Sequence, residues 1–330
     1  MIKLRPLILV SAMCLAVGCD VGTTVPNNNN GGADAAPIDD TDGTPTANAQ
    51  VSGDITSNQV WMDSIEMTGD ATIKPGVKIT VTAGTTFTAA QNALLRVEGE
   101  LVFDGTVAAP ITMNPSEGAG GWGGIVAESG GKVTLRNVTG TQVATLVNCG
   151  TGAISCDLEG VNFVDLGKVI DTKAPSTLSK SDVSQMANGG VVVGTGGDLH
   201  IVDSKIWTST HDIIIQNGGD LLIEYSEVGG ANMSYEHCDL HIGSANSFTL
   251  RYSNIVSAIY GIMLGGTNNA VIQYNNFTQN DPGKDVSPIG TNTNVDMRYN
   301  YWDKGAPDLG AEYNAADPAL AAIPEAGPRL

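Results

Sequence analysis

Residues Asn269–Asn280 read NAVIQYNNFTQN, with apolar side chains at every second place and then a run of amides where a strand would turn. The stretch belongs to a series: STLSKSDV from Ser176, LHIVDSKI from Leu199, LLIEYSEV from Leu221, FTLRYSNI from Phe248, AVIQYNNF from Ala270 and VDMRYNYW from Val295. Each has an apolar or small residue first, apolar residues third and eighth, and Ser or Asn sixth. Those sixth places are Ser181, Ser204, Ser226, Ser253, Asn275 and Asn300, separated by 23, 22, 27, 22 and 25 residues. A unit this short that tolerates insertions marks a solenoid. A weaker form continues upstream through Val133-Leu135-Val138 and Cys156-Leu158-Val161-Phe163.

Six residues before each first position lies a second apolar column, Ile170, Val193, Ile215, Ile242, Leu264 and Ile289, and the turns GTGGD, QNGGD, GSANS, GGTNN and GTNTN lie between the columns. Each repeat thus holds three short strands, and helical periodicity is absent. The fold class is all-β. If one repeat is one coil, each strand pairs with its equivalent about 4.8 Å away, and like positions stack in a single-stranded parallel β-helix of roughly 11 or 12 coils.

Stacking accounts for the amides. A tight bend turns peptide groups into an interior without water, and each one left unpaired costs about 1–3 kcal/mol. Ser or Asn at the same bend of every coil can bond those groups, and Asn tolerates the left-handed backbone that bends need. The expectation is an internal polar ladder at the six sixth places. The preceding residues Tyr225, Tyr252, Tyr274 and Tyr299 form an aromatic row that either packs coil on coil or binds sugar rings, with packing the preferred reading.

The amino terminus reads as an export signal over residues 1–18, with Lys3 and Arg5, an apolar stretch from Leu7 to Val17, and small residues before Cys19. A cysteine there resembles the lipidation site of bacterial lipoproteins, which implies a membrane anchor at Cys19 and a cell-surface or periplasmic location. Residues 19–50 carry Asn27–Asn30 and Asp39-Asp40-Thr41-Asp42 and almost no large apolar side chain, the composition of a flexible tether. The solenoid then spans 51–310 and a tail 311–330. Loss of Lys3 and Arg5 moves the formal net charge from −19 to about −21. Such a balance disfavours nucleic acid and anionic polymers unless a divalent cation mediates, and leaves a neutral glycan, a cation or a surface protein as partner. Export makes a Cys149–Cys156 disulfide plausible and leaves Cys238 single.

Val51–Phe87, then APITMN at Ala109–Asn114 and GGWGGI at Gly120–Ile125, are similar to the opening coils of bacterial secreted right-handed β-helix proteins of the pectin-lyase-like superfamily. YNYWDKGAPD at Tyr299–Asp308 resembles their last coil. The resemblance implies a right-handed β-helix. It is weak for activity, because that superfamily holds lyases, hydrolases, adhesins and surface proteins.

Enzymes of that superfamily work on the outer face of the strand before the small turns. The neighbours of the second column, Val169, Val192, Ile214, His241, Met263 and Pro288, are expected to point outward there, a mostly apolar row. Two residues earlier stand Asp212 and Asp239, expected side by side about 5 Å apart, with His237 and His241 alongside. These four are the candidate catalytic residues. Paired carboxylates suit an acid and base for polysaccharide hydrolysis or elimination, and with the histidines they could hold calcium or zinc. Otherwise Glu236–His241 is an ordinary strand with Cys238 and Leu240 inside. The superfamily's NTD, Asp-Asp, GHG and RIK signatures are missing, His211-Asp212 being the nearest approach. The reading is therefore a displayed binding, adhesive or structural protein, with a polysaccharide-active enzyme as the alternative.

Overall fold

The computed structural model describes residues 43–118, 120–187, 189–231 and 237–329. The signal, Cys19 and the tether up to residue 42 lie outside the described residues. Between Lys78 and Thr278 every strand pairs in parallel with the third strand after it, so three strands complete a turn. The described residues are all-β, without helix, and form a β-solenoid of right-handed type with about ten turns. That is fewer than the roughly 11 or 12 coils expected, because some coils are longer than the shortest repeat spacing. One continuous apolar core runs from Ile55 to Tyr313.

The solenoid begins earlier than its composition suggests. Thr44–Gln50, assigned above to the tether, forms the first half of a strand, Thr44–Ile55, that pairs with Gln59–Ile73. Ala49 and Val51 pack on the core while their polar neighbours face solvent. A strand on the edge of a stack needs only one apolar row, so a largely polar sequence suffices.

The ladder occupies the same corner of six successive coils. Ser181, Ser204, Ser226, Ser253, Asn275 and Asn300 are all buried. Each side-chain oxygen accepts the backbone N–H of the residue one coil earlier: Val161 to Ser181 (3.1 Å), Ser181 to Ser204, Ser204 to Ser226 and Ser226 to Ser253 (3.2 Å each), Ser253 to Asn275 and Asn275 to Asn300 (2.9 Å each). The left-handed backbone sits one place earlier than the amide argument puts it, at Lys180, Asp203, Tyr225, Tyr252, Tyr274 and Tyr299, with φ between 48° and 66°. The corner residue points its side chain out and its successor points in to bond the bend. The four tyrosines, stacked 5.0, 5.1 and 5.2 Å apart, help offset the cost of about 1–2 kcal/mol that a side chain incurs in that conformation.

On the face carrying the candidate residues the inward rows are Val147, Ile170, Val191, Ile214, Leu240, Ile262, Val286 and Cys149, Thr172, Val193, Gln216, Ile242, Leu264. The expected second column therefore mixed two rows. Ile214 and Val169 are buried rather than outward, Ile215 points out, and Ile289 is 43% exposed. The cause is the turn after this strand, whose length changes from coil to coil, so a fixed offset of six slips. A one-residue slip exchanges the two faces of a strand. Gln216 takes the inward place and Nε2 donates to the carbonyls of Gly219 (3.1 Å) and Ser247 (3.0 Å). Cys149 and Cys156 are disulfide-bonded across a turn, and Cys238 is free and buried.

The tail returns along the tyrosine side instead of covering the apolar row. Tyr313–Asn314 pairs with Val295–Asp296, Ile323 N–H donates to Asn276 Oδ1 (2.7 Å), and Gly327 N–H donates to the Tyr252 carbonyl (2.8 Å). Arg329 then clasps Asp203 through Nε (2.7 Å) and Nη2 (3.0 Å), its guanidinium 3.6 Å from the Tyr225 ring centre. The hydrogen bonds from Arg329 hold the Asp203 carboxyl below its ordinary value against the opposing effect of burial. A carboxyl lowered in the folded state contributes stability above its unfolded value, about 3.9, that is lost as pH falls through the folded one. Hydrogen exchange at Gly327 should accordingly rise on acidification before the coils open, and Arg329→Gln should raise it already at neutral pH. Equal protection in variant and parent would refute the clasp.

Candidate functional site

The site is built where two coils bring their strand starts together. At the end of Lys205–Ser209, Ser209 Oγ lies 2.8 Å from the carbonyls of Ala187 and Asp212 and accepts the His211 N–H at 3.3 Å. This bend sets His211 and Asp212 at the mouth of the next strand. In the following coil, Cys238–Ser244 pairs with Ile214–Asn217 in the register Ile214 to Leu240, Ile215 to His241 and Gln216 to Ile242. Continued two residues back, that register puts Cys238, rather than Asp239, opposite Asp212.

Everything in the cluster faces the Asp212 carboxylate, whose side chain is 7% exposed. Oδ1 accepts the Cys238 backbone N–H and the thiol, each at 3.3 Å, and lies 3.2 Å from His237 Nδ1. Oδ2 lies 3.3 Å from His211 Nδ1 and 3.6 Å from His241 Nδ1. Three of the chain's four histidines thus roof one carboxylate, and the imidazoles are only partly exposed. The rings of His211 and His237 are neighbours. Burial, then the Asp212 charge and hydrogen bond, push the Cys238 thiol well above its ordinary value, so it keeps its proton and donates.

Asp239 does not join them. It is fully buried, in the column of corner residues that includes Val169 and Ile213, so the two carboxylates do not form the outward pair that the sequence suggested. His237 and His241 do flank the site. Its further members, His211 and Cys238, were missed because a bulge lies between Gln216 and Asn217. Before the bulge the coil offset is 26, as in the Asp212–Cys238 hydrogen bond, whereas the ladder counts 27 from Ser226 to Ser253. Aligning Ile214 with Leu240 instead of Ile215 with Ile242 would have revealed them.

The surroundings define what the face can accept. Val192, Ile215, His241 and Met263 form one half-exposed outward row, so an apolar strip runs beside the imidazoles. A shallow groove lined by Gln142, Asp165 and Gln185 reaches Thr210, next to His211 in the chain. The tyrosine row borders a groove of its own, lined by Tyr225, Tyr252 and tail residues 324–329. Its rings lie face to face, with Arg329 over Tyr225 at one end and Arg298, 5.4 Å from the Tyr299 ring centre, at the other. Ring faces occupied in this way are not offered to a sugar. Arg298 is paired with Asp296 at 2.7 Å.

Compared with protein-family models, with curated proteins and with solved structures, the chain matches none. The β-helix therefore rests on the strand pairing, and no match supports the resemblance to pectin-lyase-like proteins.

Proposed function

We propose that this chain is an exported protein, held to a membrane by lipid at Cys19, whose β-helix is a displayed binding scaffold with its binding centred on the Asp212 face. The observation that carries this reading is the composition of that face. One buried carboxylate lies under three imidazoles, and the second carboxylate is fully buried. Two-carboxylate glycoside cleavage needs both groups on opposite sides of one bond, roughly 5–9.5 Å apart and within reach of substrate. The fully buried Asp239 does not meet that demand. A face that gathers donors without an opposed acid and base suits holding a ligand. The net charge of −19 favours cations, neutral glycans or a basic protein surface over anionic polymers.

Two measurements test the reading. Fractionation should place the parent with membranes and release Cys19→Ser into the soluble fraction with unchanged far-UV circular dichroism; co-fractionation of the variant with membranes overturns the anchor. Incubation with neutral and anionic glycans, with and without calcium, should yield neither reducing ends nor unsaturated products. Release of either that Asp212→Asn abolishes would make the chain a polysaccharide-active enzyme instead.

A further inference from the structure

We propose that His211, Asp212 and His237 form a site for a divalent transition cation, zinc being the representative, with His241 on its rim and Cys238 as the outer partner that orients the carboxylate. The proposal names the ligand class of the Asp212 face and rests on reading that face as a binding site.

Donor chemistry selects the class. Imidazole nitrogens combined with one carboxylate suit zinc, cobalt, nickel and copper, whereas calcium takes six to eight oxygens. Geometry agrees. The three donors lie within 4.8 Å of one another. Ligands about 2.1 Å from a tetrahedral cation are about 3.4 Å apart, and the nitrogens of His237 and His211 stand 3.2 and 3.3 Å from the carboxylate oxygens.

The orientation of the rings separates a ligand set from a simple ion-pair cluster. His237 Nδ1 and His241 Nδ1 are shut away from water and come within 3.2 and 3.6 Å of the carboxylate, yet neither is aligned for a hydrogen bond. A histidine packed against aspartate for stability would align its N–H with the oxygen, as His211 Nδ1 is placed to do with Asp212 Oδ2 at 3.3 Å and the other two are not. Nitrogens grouped beside the oxygens are arranged as ligands around a shared centre.

The outer partner is already in place. Cys238 donates through both N–H and S–H to Asp212 Oδ1, the kind of support that fixes a ligating carboxylate. The ligands come from two successive coils joined by the strand ladder, so their backbones are held before any cation arrives. Three protein ligands leave a fourth position toward solvent, where an exchangeable ligand can bind.

The test is a titration of the full, tag-free chain with cobalt(II) after chelation, followed by displacement with zinc. Saturable one-to-one visible bands of tetrahedral cobalt that zinc abolishes are expected, with no comparable heat from calcium. Removing an outer partner alone costs about 10–100-fold in metal affinity, so His211→Ala/His237→Ala should weaken zinc by at least about 100-fold while circular dichroism is unchanged. His237→Ala alone, should the double variant fold poorly, should abolish the tetrahedral spectrum. Absence of saturable binding in the folded parent, calcium binding as strong as zinc, or unchanged zinc affinity in the folded variants would each overturn the proposal. None of those results touches the membrane fractionation or the glycan assays, so failure of the cation site and failure of the scaffold reading are separable.

Discussion

Asn275→Leu should lower the unfolding free energy by about 2–6 kcal/mol, the sum of two buried polar groups left without partners at about 1–3 kcal/mol each. Asn275 Oδ1 accepts the Ser253 N–H, and Nδ2 donates to the Leu250 carbonyl (3.0 Å) and to Asn300 Oδ1 (3.0 Å). All of these lie where water does not reach, and leucine, of similar volume, satisfies none of them. Asn275→Ser is the informative companion. Serine holds the same place at Ser253 and upstream, accepting from the previous coil and donating to the carbonyl two residues back. It should cost less than leucine, since the Ser253 N–H keeps an acceptor. Chemical denaturation followed by circular dichroism reads both. A leucine variant within about 1 kcal/mol of the parent would show that the ladder decorates the corner without holding it.

The second large effect is expected at Gly124 in GGWGGI. Its φ is +114°, and a Cβ built there would stand against the Thr145 carbonyl oxygen of the adjacent coil, closer than any nonbonded contact. The next coil cannot withdraw, because Thr145 is paired to Gly124 on one side and Lys168 on the other. Gly124→Ala should therefore cost more than about 4 kcal/mol, in the class of exceptional single substitutions, or prevent folding. Gly118→Ala isolates the backbone contribution: its φ is +73° with nothing near the added methyl, so only the conformational cost of about 1–2 kcal/mol applies. Expression yield and thermal midpoint of the two variants decide, and equal behaviour would refute steric exclusion at Gly124.

The fold was legible because a solenoid writes its contacts into local sequence. Each residue of a coil meets its counterpart one repeat away, so the spacing from Ser181 to Asn300 contains the strand pairing directly. The alternation in AVIQYNNF gives the inward face of its strand with no long-range information. The site was less legible because it depends on parity where the count changes. One extra residue at the bulge between Gln216 and Asn217, and corner positions where consecutive residues such as Ile213 and Ile214 are both buried, defeat a strict period of two. Asp239 was consequently placed on the exposed face although it is fully buried, and Cys238 was left out of a cluster whose carboxylate it touches. The left-handed corner was also misplaced by one residue. Asn can adopt that conformation, but Asn275 and Asn300 serve inward, and the tyrosines before them take the strained backbone.

The ladder changes character along its length. Its earlier rungs are hydroxyls, whereas Asn275 and Asn300 are amides whose nitrogens reach the carbonyls of Leu250, Ile272 and Met297 as well. In a structure whose coils touch only their neighbours, stability is a chain of nearest-neighbour couplings, and the strongest of these corner couplings then lie toward the carboxyl end. Fraying under force or heat is accordingly expected to spread from the serine-runged coils, with the amide-stitched turns the last to let go.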